Sequence, residues 1–237
     1  MRSYSAFARV YDAFMGDYDY EKVLDFLKAE VFSSGPQQLL ELACGTGSLT
    51  EKLWAYGMVD ALDLSEEMLI VARQKLGNNR RVRFLRADMK EIPGGRTYDV
   101  VLCLCDSLNY LRGEEELRAC LSSVLAHLKP EGVFVFDMKP REFFEAIDGK
   151  TYVEEEGKTL LLWQNQKEGQ KHHYLLTLFA EEEDGRYRRE EEEHTQWIFE
   201  KDLVEEVCRQ VGGELTWRED LNARKVGLIR RRKEYGG

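Results

Sequence analysis

The run Glu41-Leu42-Ala43-Cys44-Gly45-Thr46-Gly47 places two glycines directly after a short apolar stretch. Glycine allows a tight turn and lets a backbone approach a ligand with no side chain between them, and a helix that follows offers unpaired N–H groups. Asp63 and Asp88 each close a later apolar run. A carboxylate at the tip of a second strand can accept both hydroxyls of a ribose. Asp88 can accept from an adenine amino group, with Leu64, Met68 and Met89 as apolar walls. Asp106, Asn109 and Tyr110 follow a fourth apolar run and supply a carboxylate, an amide and a phenol, groups that orient a substrate or take a proton. Each has a plainer use: capping for Asp63, Asp106 and Asn109, and core filling for the methionines.

For these residues to meet, strands must carry them to one edge. Residues 38–43, 58–63, 82–87, 100–105 and 133–136 read as short strands. Helices separate them. Tyr20, Val23, Leu24, Leu27 and Val31 recur at helical spacing, and a second helix runs through Leu49, Leu53 and Trp54 to Gly57. Ser65 caps a third, with Glu66 and Glu67 in its first turn, and Leu117, Leu121, Val124, Leu125 and Leu128 form the stripe of a fourth, which stops at Lys129-Pro130-Glu131-Gly132. Such alternation requires right-handed crossovers, hence a doubly wound, mostly parallel α/β sheet covered on both faces. Ligands of such sheets bind outside the carboxyl ends of the strands, where the glycine turn and the acidic tips would converge.

Beyond Phe144 the pattern changes. Residues 151–199 offer β-rich runs separated by Glu168-Gly169-Gln170 and Asp184-Gly185, an antiparallel meander. A helix with Leu203, Val207 and Val211 and two apolar runs, 214–217 and 226–229, then restore the earlier grammar. The expected organisation is one domain over 1–237, with an N-terminal helical cap at 1–35 and an antiparallel β-insert at 150–199. A meander leaves a face or edge to bury, so the insert is expected to form part of an acceptor pocket or a homodimer contact.

The chain has 237 residues and a formal net charge of -10, from 44 acidic and 34 basic residues. That field repels phosphate backbones and disfavours nucleic acid as a partner; the dense basic run Arg230-Arg231-Arg232-Lys233 reads as a solvated tail. Cys44, Cys103, Cys105, Cys120 and Cys208 are an odd number and suit reduced thiols, which points to the cytoplasm. They complete no zinc set, so no metal is expected. No apolar run is long enough to span a bilayer. His127, His172, His173 and His194 are expected to be structural.

Taken in order, Glu41 to Gly47, Leu62-Asp63-Leu64-Ser65-Glu66-Glu67-Met68 and Ala87-Asp88-Met89 resemble the first three motifs of class I S-adenosylmethionine-dependent methyltransferases, over about residues 36–140. The resemblance implies a seven-stranded sheet whose last strand is antiparallel. It implies S-adenosylmethionine as cofactor, with Gly45 and Gly47 beside the methionine moiety, Asp63 on the ribose and Asp88 near the adenine. Glu41, Ala43, Leu64, Met68, Met89 and Cys105 complete the implied cofactor set, and Asp106, Asn109 and Tyr110 fall on the methyl side. The opening Tyr4-Ser5-Ala6-Phe7-Ala8-Arg9-Val10-Tyr11-Asp12 resembles a subgroup that methylates small molecules, including sugar N-methyltransferases, which implies Tyr4 and Tyr11 over the cofactor. An aromatic face attracts a sulfonium; the same spacing also suits an ordinary docked helix. The expected activity is methyl transfer to a small-molecule nitrogen or oxygen acceptor. An NAD-dependent oxidoreductase shares the glycine turn and the strand-two carboxylate, but Thr50 stands where the dinucleotide fingerprint needs a third glycine. A non-catalytic adenosylmethionine-binding protein would keep the same pocket.

Overall fold

Two helices, α1 (Tyr11–Phe14) and α2 (Tyr20–Glu30), precede the first strand in this computed structural model, which describes residues 7–16, 18–32, 34–35 and 37–233. β1 (Gln37–Leu42), β2 (Gly57–Asp63), β3 (Val82–Arg86), β4 (Tyr98–Cys103) and β5 (Leu128–Met138) form the parallel part of a sheet. Between them lie α3 (Thr50–Leu53), α4 (Glu66–Leu76) and α5 (Glu114–His127). After α6 (Arg141–Ile147) come the antiparallel strands β6 (Thr151–Glu156), β7 (Thr159–Glu168), β8 (Lys171–Glu181) and β9 (Tyr187–Trp197), which form a separate four-stranded sheet. The chain then returns through α7 (Lys201–Gln210) to β10 (Gly213–Leu221) and β11 (Arg224–Arg231). The seven-stranded order is β10-β11-β5-β4-β1-β2-β3, with β11 antiparallel to both of its neighbours.

Burial explains the choice of elements. In β1 every residue but Gln38 is buried, as a strand covered on both faces demands. One face packs Phe134 and Phe136 against Leu121, Val124, Val204 and Val207 of α5 and α7; the other packs Leu39, Val59 and Val135 against Leu27, Leu53 and Leu69. A third cluster joins the insert to the N-terminal segment, with Phe7 edge-on to Trp163 beside Phe144, Leu161 and Tyr174. Ser65 caps α4 by accepting from the Met68 N–H at 3.2 Å.

Two elements differ from the sequence expectation. β5 starts at Leu128, because Lys129-Pro130-Glu131-Gly132 bulges within the strand instead of ending the helix with a turn: Tyr98 pairs with Leu128 and Val100 already with Val133. The bulge accommodates a proline that a regular ladder would not. Residues 141–147 form α6, a short helix that buries Phe144 and leaves too little periodicity to detect.

Candidate active site

The sheet brings the carboxyl ends of β1 and β4 together, and a cleft opens between them. Tyr11, Tyr18, Tyr20, Glu41, Ala43, Gly45, Thr46, Ser48, Leu104, Cys105 and Ser107 are among its lining residues. At this edge the backbone takes left-handed conformations at Ala43 (φ 53°), Cys105 (φ 60°) and Asp106 (φ 52°). Side chains other than glycine tolerate that region at a cost, and such strain concentrates where a fold holds a ligand. Cys105 lies beyond β4, so its thiol reaches the cleft while Cys103 stays in the core.

The two glycines of the turn do different work. A Cβ on Gly45 (φ 55°) would point into open space, so the backbone there is bare toward the cleft; a Cβ on Gly47 (φ 79°) would meet Leu76 Cδ1 at 3.0 Å and Ala72 Cβ at 3.1 Å. Gly47 therefore lets α4 pack against the turn. Asp63 ties the turn to β2: Oδ2 accepts from the Gly45 N–H at 2.8 Å and Oδ1 from the Ser65 N–H at 2.8 Å. Each oxygen keeps a lone pair for a further donor. Burial raises the Asp63 carboxyl above its ordinary range, against the pull of these amides.

Glu41 is the buried carboxylate of the cleft. Burial pushes it up to about 8, Asp63 adds to the shift, and the Thr50 hydroxyl, donating to Oε2 at 2.6 Å, opposes it. Thr50, at the position of the absent third glycine, thus holds Glu41. An adenosyl sulfonium fits this donor set: the bare amide edge at Gly45, the carboxylates Glu41 and Asp63 for hydroxyl and cationic groups, and phenol rings above.

The residues expected around an adenine do not line the cleft: Leu64 is exposed, Met68 is buried, and Met89 packs against the core. Asp88 accepts from the Lys90 N–H at 2.9 Å and lies 3.4 Å from Lys90 Nζ, outside the set that lines the cleft. Tyr4 lies outside the described residues. Tyr11 lines the cleft, its hydroxyl 4.0 Å from Cys105 Sγ. Burial, with Cys105 adding to it, raises its phenol well above the ordinary value, and burial followed by Asp106 pushes the Cys105 thiol up to about 12. Both groups stay protonated.

The three polar residues after β4 are held by contacts within the fold. Asp106 is buried and fully engaged: Arg224 Nε donates at 2.8 Å, Gln196 Nε2 at 2.6 Å, and Lys139 Nζ lies 3.2 Å away. Burial opposes its ionisation, yet Lys139 and Arg224 hold the carboxyl below its usual range, which makes it a poor proton acceptor. Asn109 is fully buried and spends its amide on backbone, donating to Trp197 O at 2.8 Å and accepting from the Lys139 N–H at 2.9 Å. It fastens the insert to the end of β5. Tyr110 stands edge-on to His194 at 6.2 Å.

Several groups had no local signal. Tyr18 and Tyr20 complete the roof; the Tyr18 hydroxyl donates to the buried Asp137 at 2.9 Å, and burial pushes Asp137 up to about 6. Gln196 reaches from the insert and accepts from the Tyr174 hydroxyl at 3.0 Å. Among the histidines, His172 is buried against Asn165, and desolvation brings it down to about 4. No group of three or more histidine, cysteine, aspartate or glutamate side chains suited to a metal ion occurs among the described residues.

A doubly wound sheet with a bare glycine turn, acidic strand tips and an aromatic roof defines a nucleoside-binding α/β protein of the methyltransferase type. The family described as "Methyltransferase domain" matches residues 39–132. The chain is 36% identical over 165 residues to YqeM of Bacillus subtilis, named as a methyltransferase, covering 68% of this chain and 66% of that one. It is 32% identical to the dTDP-3-amino-3,6-dideoxy-alpha-D-glucopyranose N,N-dimethyltransferase of Streptomyces fradiae, over 64% of this chain and 61% of the enzyme. The chain thus spans slightly under two thirds of the curated relatives it matches. A crystal structure of an S-adenosylmethionine-dependent methyltransferase from Clostridium acetobutylicum superposes with a TM-score of 0.82 at 25% identity, over 97% of this chain and 99% of that one. The chain carries a methyltransferase domain and folds as an S-adenosylmethionine-dependent methyltransferase does. No helix among the described residues is long and apolar enough to cross a membrane.

Proposed function

We propose that this protein transfers the methyl group of S-adenosylmethionine to a small-molecule acceptor at nitrogen or oxygen. The observation that carries this reading is the cleft in which Gly45, Glu41 and three tyrosines face one another beside the β4 elbow. Glu41, Asp63 and the Gly45 backbone would hold the cofactor, with Leu64, Met68, Asp88 and Met89 on its adenine side. The cofactor supplies an already activated methyl group, so the chain needs chiefly to align the acceptor and exclude water. Tyr11, Tyr18 and Tyr20 exclude it. The Asp106 cluster fixes the elbow that faces the acceptor, and Tyr110 and Gln196 border it from the side of the insert. An amine is the favoured acceptor class, in keeping with the N,N-dimethyltransferase relative. Asp137, bonded to the Tyr18 hydroxyl, is the buried carboxylate suited by its near-neutral range to take up the released proton.

Five free thiols support a cytoplasmic location, and the net charge of -10 disfavours nucleic acid. In a homodimer the open edge strand β6, with exposed Tyr152 and Val153, would meet its copy; light scattering that returns the monomer mass removes that part. For the main reading, calorimetry with S-adenosylmethionine, S-adenosylhomocysteine and NAD is decisive. Binding of both sulfur compounds and not of NAD is expected, and NAD binding alone would overturn it. Labelled-methyl turnover on small amines, amino sugars and acids then separates an enzyme from a binding protein.

A further inference from the structure

The roof of the cleft is a segment with little stability of its own. Residues 7–16 contain one turn of 3-10 helix and the four-residue α1, far too short to persist alone in water. Their position is therefore set by tertiary contacts. Some lie at the ends: the Phe7 N–H donates to Glu192 at 2.9 Å, and just past the other end the Tyr18 hydroxyl donates to Asp137. In the middle, next to Tyr11, stands Asp12. Its Oδ1 accepts from Thr46 Oγ1 at 2.6 Å and Ser48 Oγ at 3.0 Å, and its Oδ2 from Lys75 Nζ at 2.7 Å; Lys75 also donates to Ser48 at 2.8 Å. Thr46 and Ser48 belong to the glycine turn and Lys75 to α4, so one side chain pins the roof to the turn beneath it. Lys75, Thr46 and Ser48 hold the Asp12 carboxyl below its ordinary range although burial acts the other way.

We propose that Asp12 is the latch of a strap, residues 7–16, that retains the cofactor, so that exchange of S-adenosylhomocysteine for S-adenosylmethionine requires the Asp12 contacts to break. The inference rests on the cofactor reading above. The Asp12 side chain is 44% exposed and that of Lys75 23%, so water can replace the lost partners when the cluster opens. Tyr11 travels with the latch. A cofactor beneath its ring cannot leave along that side while the strap is fastened.

Stopped-flow tracking of intrinsic fluorescence on S-adenosylhomocysteine binding, with Asp12→Ala, Asp12→Asn and Lys75→Met, tests the latch. Loss of this charge-assisted cluster should speed release about tenfold in Asp12→Ala, the equivalent of ~1.4 kcal/mol. Asp12→Asn, which keeps acceptor oxygen but not charge, should fall between, and raised salt should speed release in the wild type and not in Asp12→Ala. Hydrogen exchange of the 7–16 amides in the ligand-free protein should rise in both Asp12→Ala and Lys75→Met. Lys75→Met removes the cation from the α4 side of the latch while the Thr46 and Ser48 bonds to Asp12 stay, and it decides the matter if Asp12→Ala fails to fold. Unchanged release and unchanged exchange in a folded Lys75→Met protein would overturn the latch. Failure of the wild type to bind S-adenosylhomocysteine would instead sink the cofactor reading, and the exchange measurement would still decide whether Asp12 fastens the segment.

Discussion

Binding of S-adenosylmethionine should release close to one proton at pH 7, and Glu41 should be its source. In the ligand-free protein burial pushes Glu41 up to about 8, with Asp63 adding to the shift and Thr50 opposing it. At pH 7 about a tenth of Glu41 is ionised, and ionising the rest costs ~1.4 kcal/mol. A sulfonium or ammonium entering the cleft favours the carboxylate and supplies that energy. Affinity should then rise up to about tenfold per pH unit below pH 8 and level off above it. Calorimetry in buffers of differing ionisation enthalpy reads the proton count directly. Glu41→Gln keeps an acceptor oxygen for Thr50 but has no proton to lose, so its binding should be weaker at pH 8 and nearly independent of pH. Tight wild-type binding with no proton released, or a Glu41→Gln protein that still releases one, would refute the reasoning.

Stability without ligand should follow the same groups. Glu41 and Asp137, both raised, favour folding at low pH and lose that contribution as pH climbs through about 6 for Asp137 and about 8 for Glu41; Asp106, lowered, loses its contribution as pH falls below its ordinary range. Thermal melts should therefore peak on the acid side of neutrality, and a melting temperature that climbs steadily from pH 5 to 8 would contradict this. Asp63→Ala should cost adenosyl ligands ~1–3 kcal/mol by calorimetry, through loss of a buried charged acceptor and of the Gly45 tether; unchanged affinity in a folded variant counts against the ribose role. Arg224→Met leaves Asp106 with Lys139 alone and takes from Asp137 the cation that lowers it, and should lower stability by ~3 kcal/mol in urea. Gly45→Ala should fold with a loss of ~1–2 kcal/mol from its left-handed backbone and bind poorly. Gly47→Ala, whose Cβ meets Ala72 and Leu76, should lose more stability by the same urea measurement.

The alternation of apolar runs and helical stripes was enough to determine a doubly wound sheet and the β-insert, because both periods are local and burial on two faces dictates them. It also placed Gly45 and Asp63 at one edge, since strand ends in a parallel sheet share a side, whereas Tyr11 was expected there only through the family resemblance. Tertiary structure alone decided what those ends do. Asp106 offered a proton acceptor or a cap until Arg224, Lys139 and Gln196, all distant in sequence, arrived to occupy it. Gly47 looked like Gly45 until α4 packed on it, and nothing local marked Asp12 before the chain folded back over the turn. Hydrogen-bond partners and desolvation are properties of what meets across the fold, and a window of consecutive residues holds no record of them.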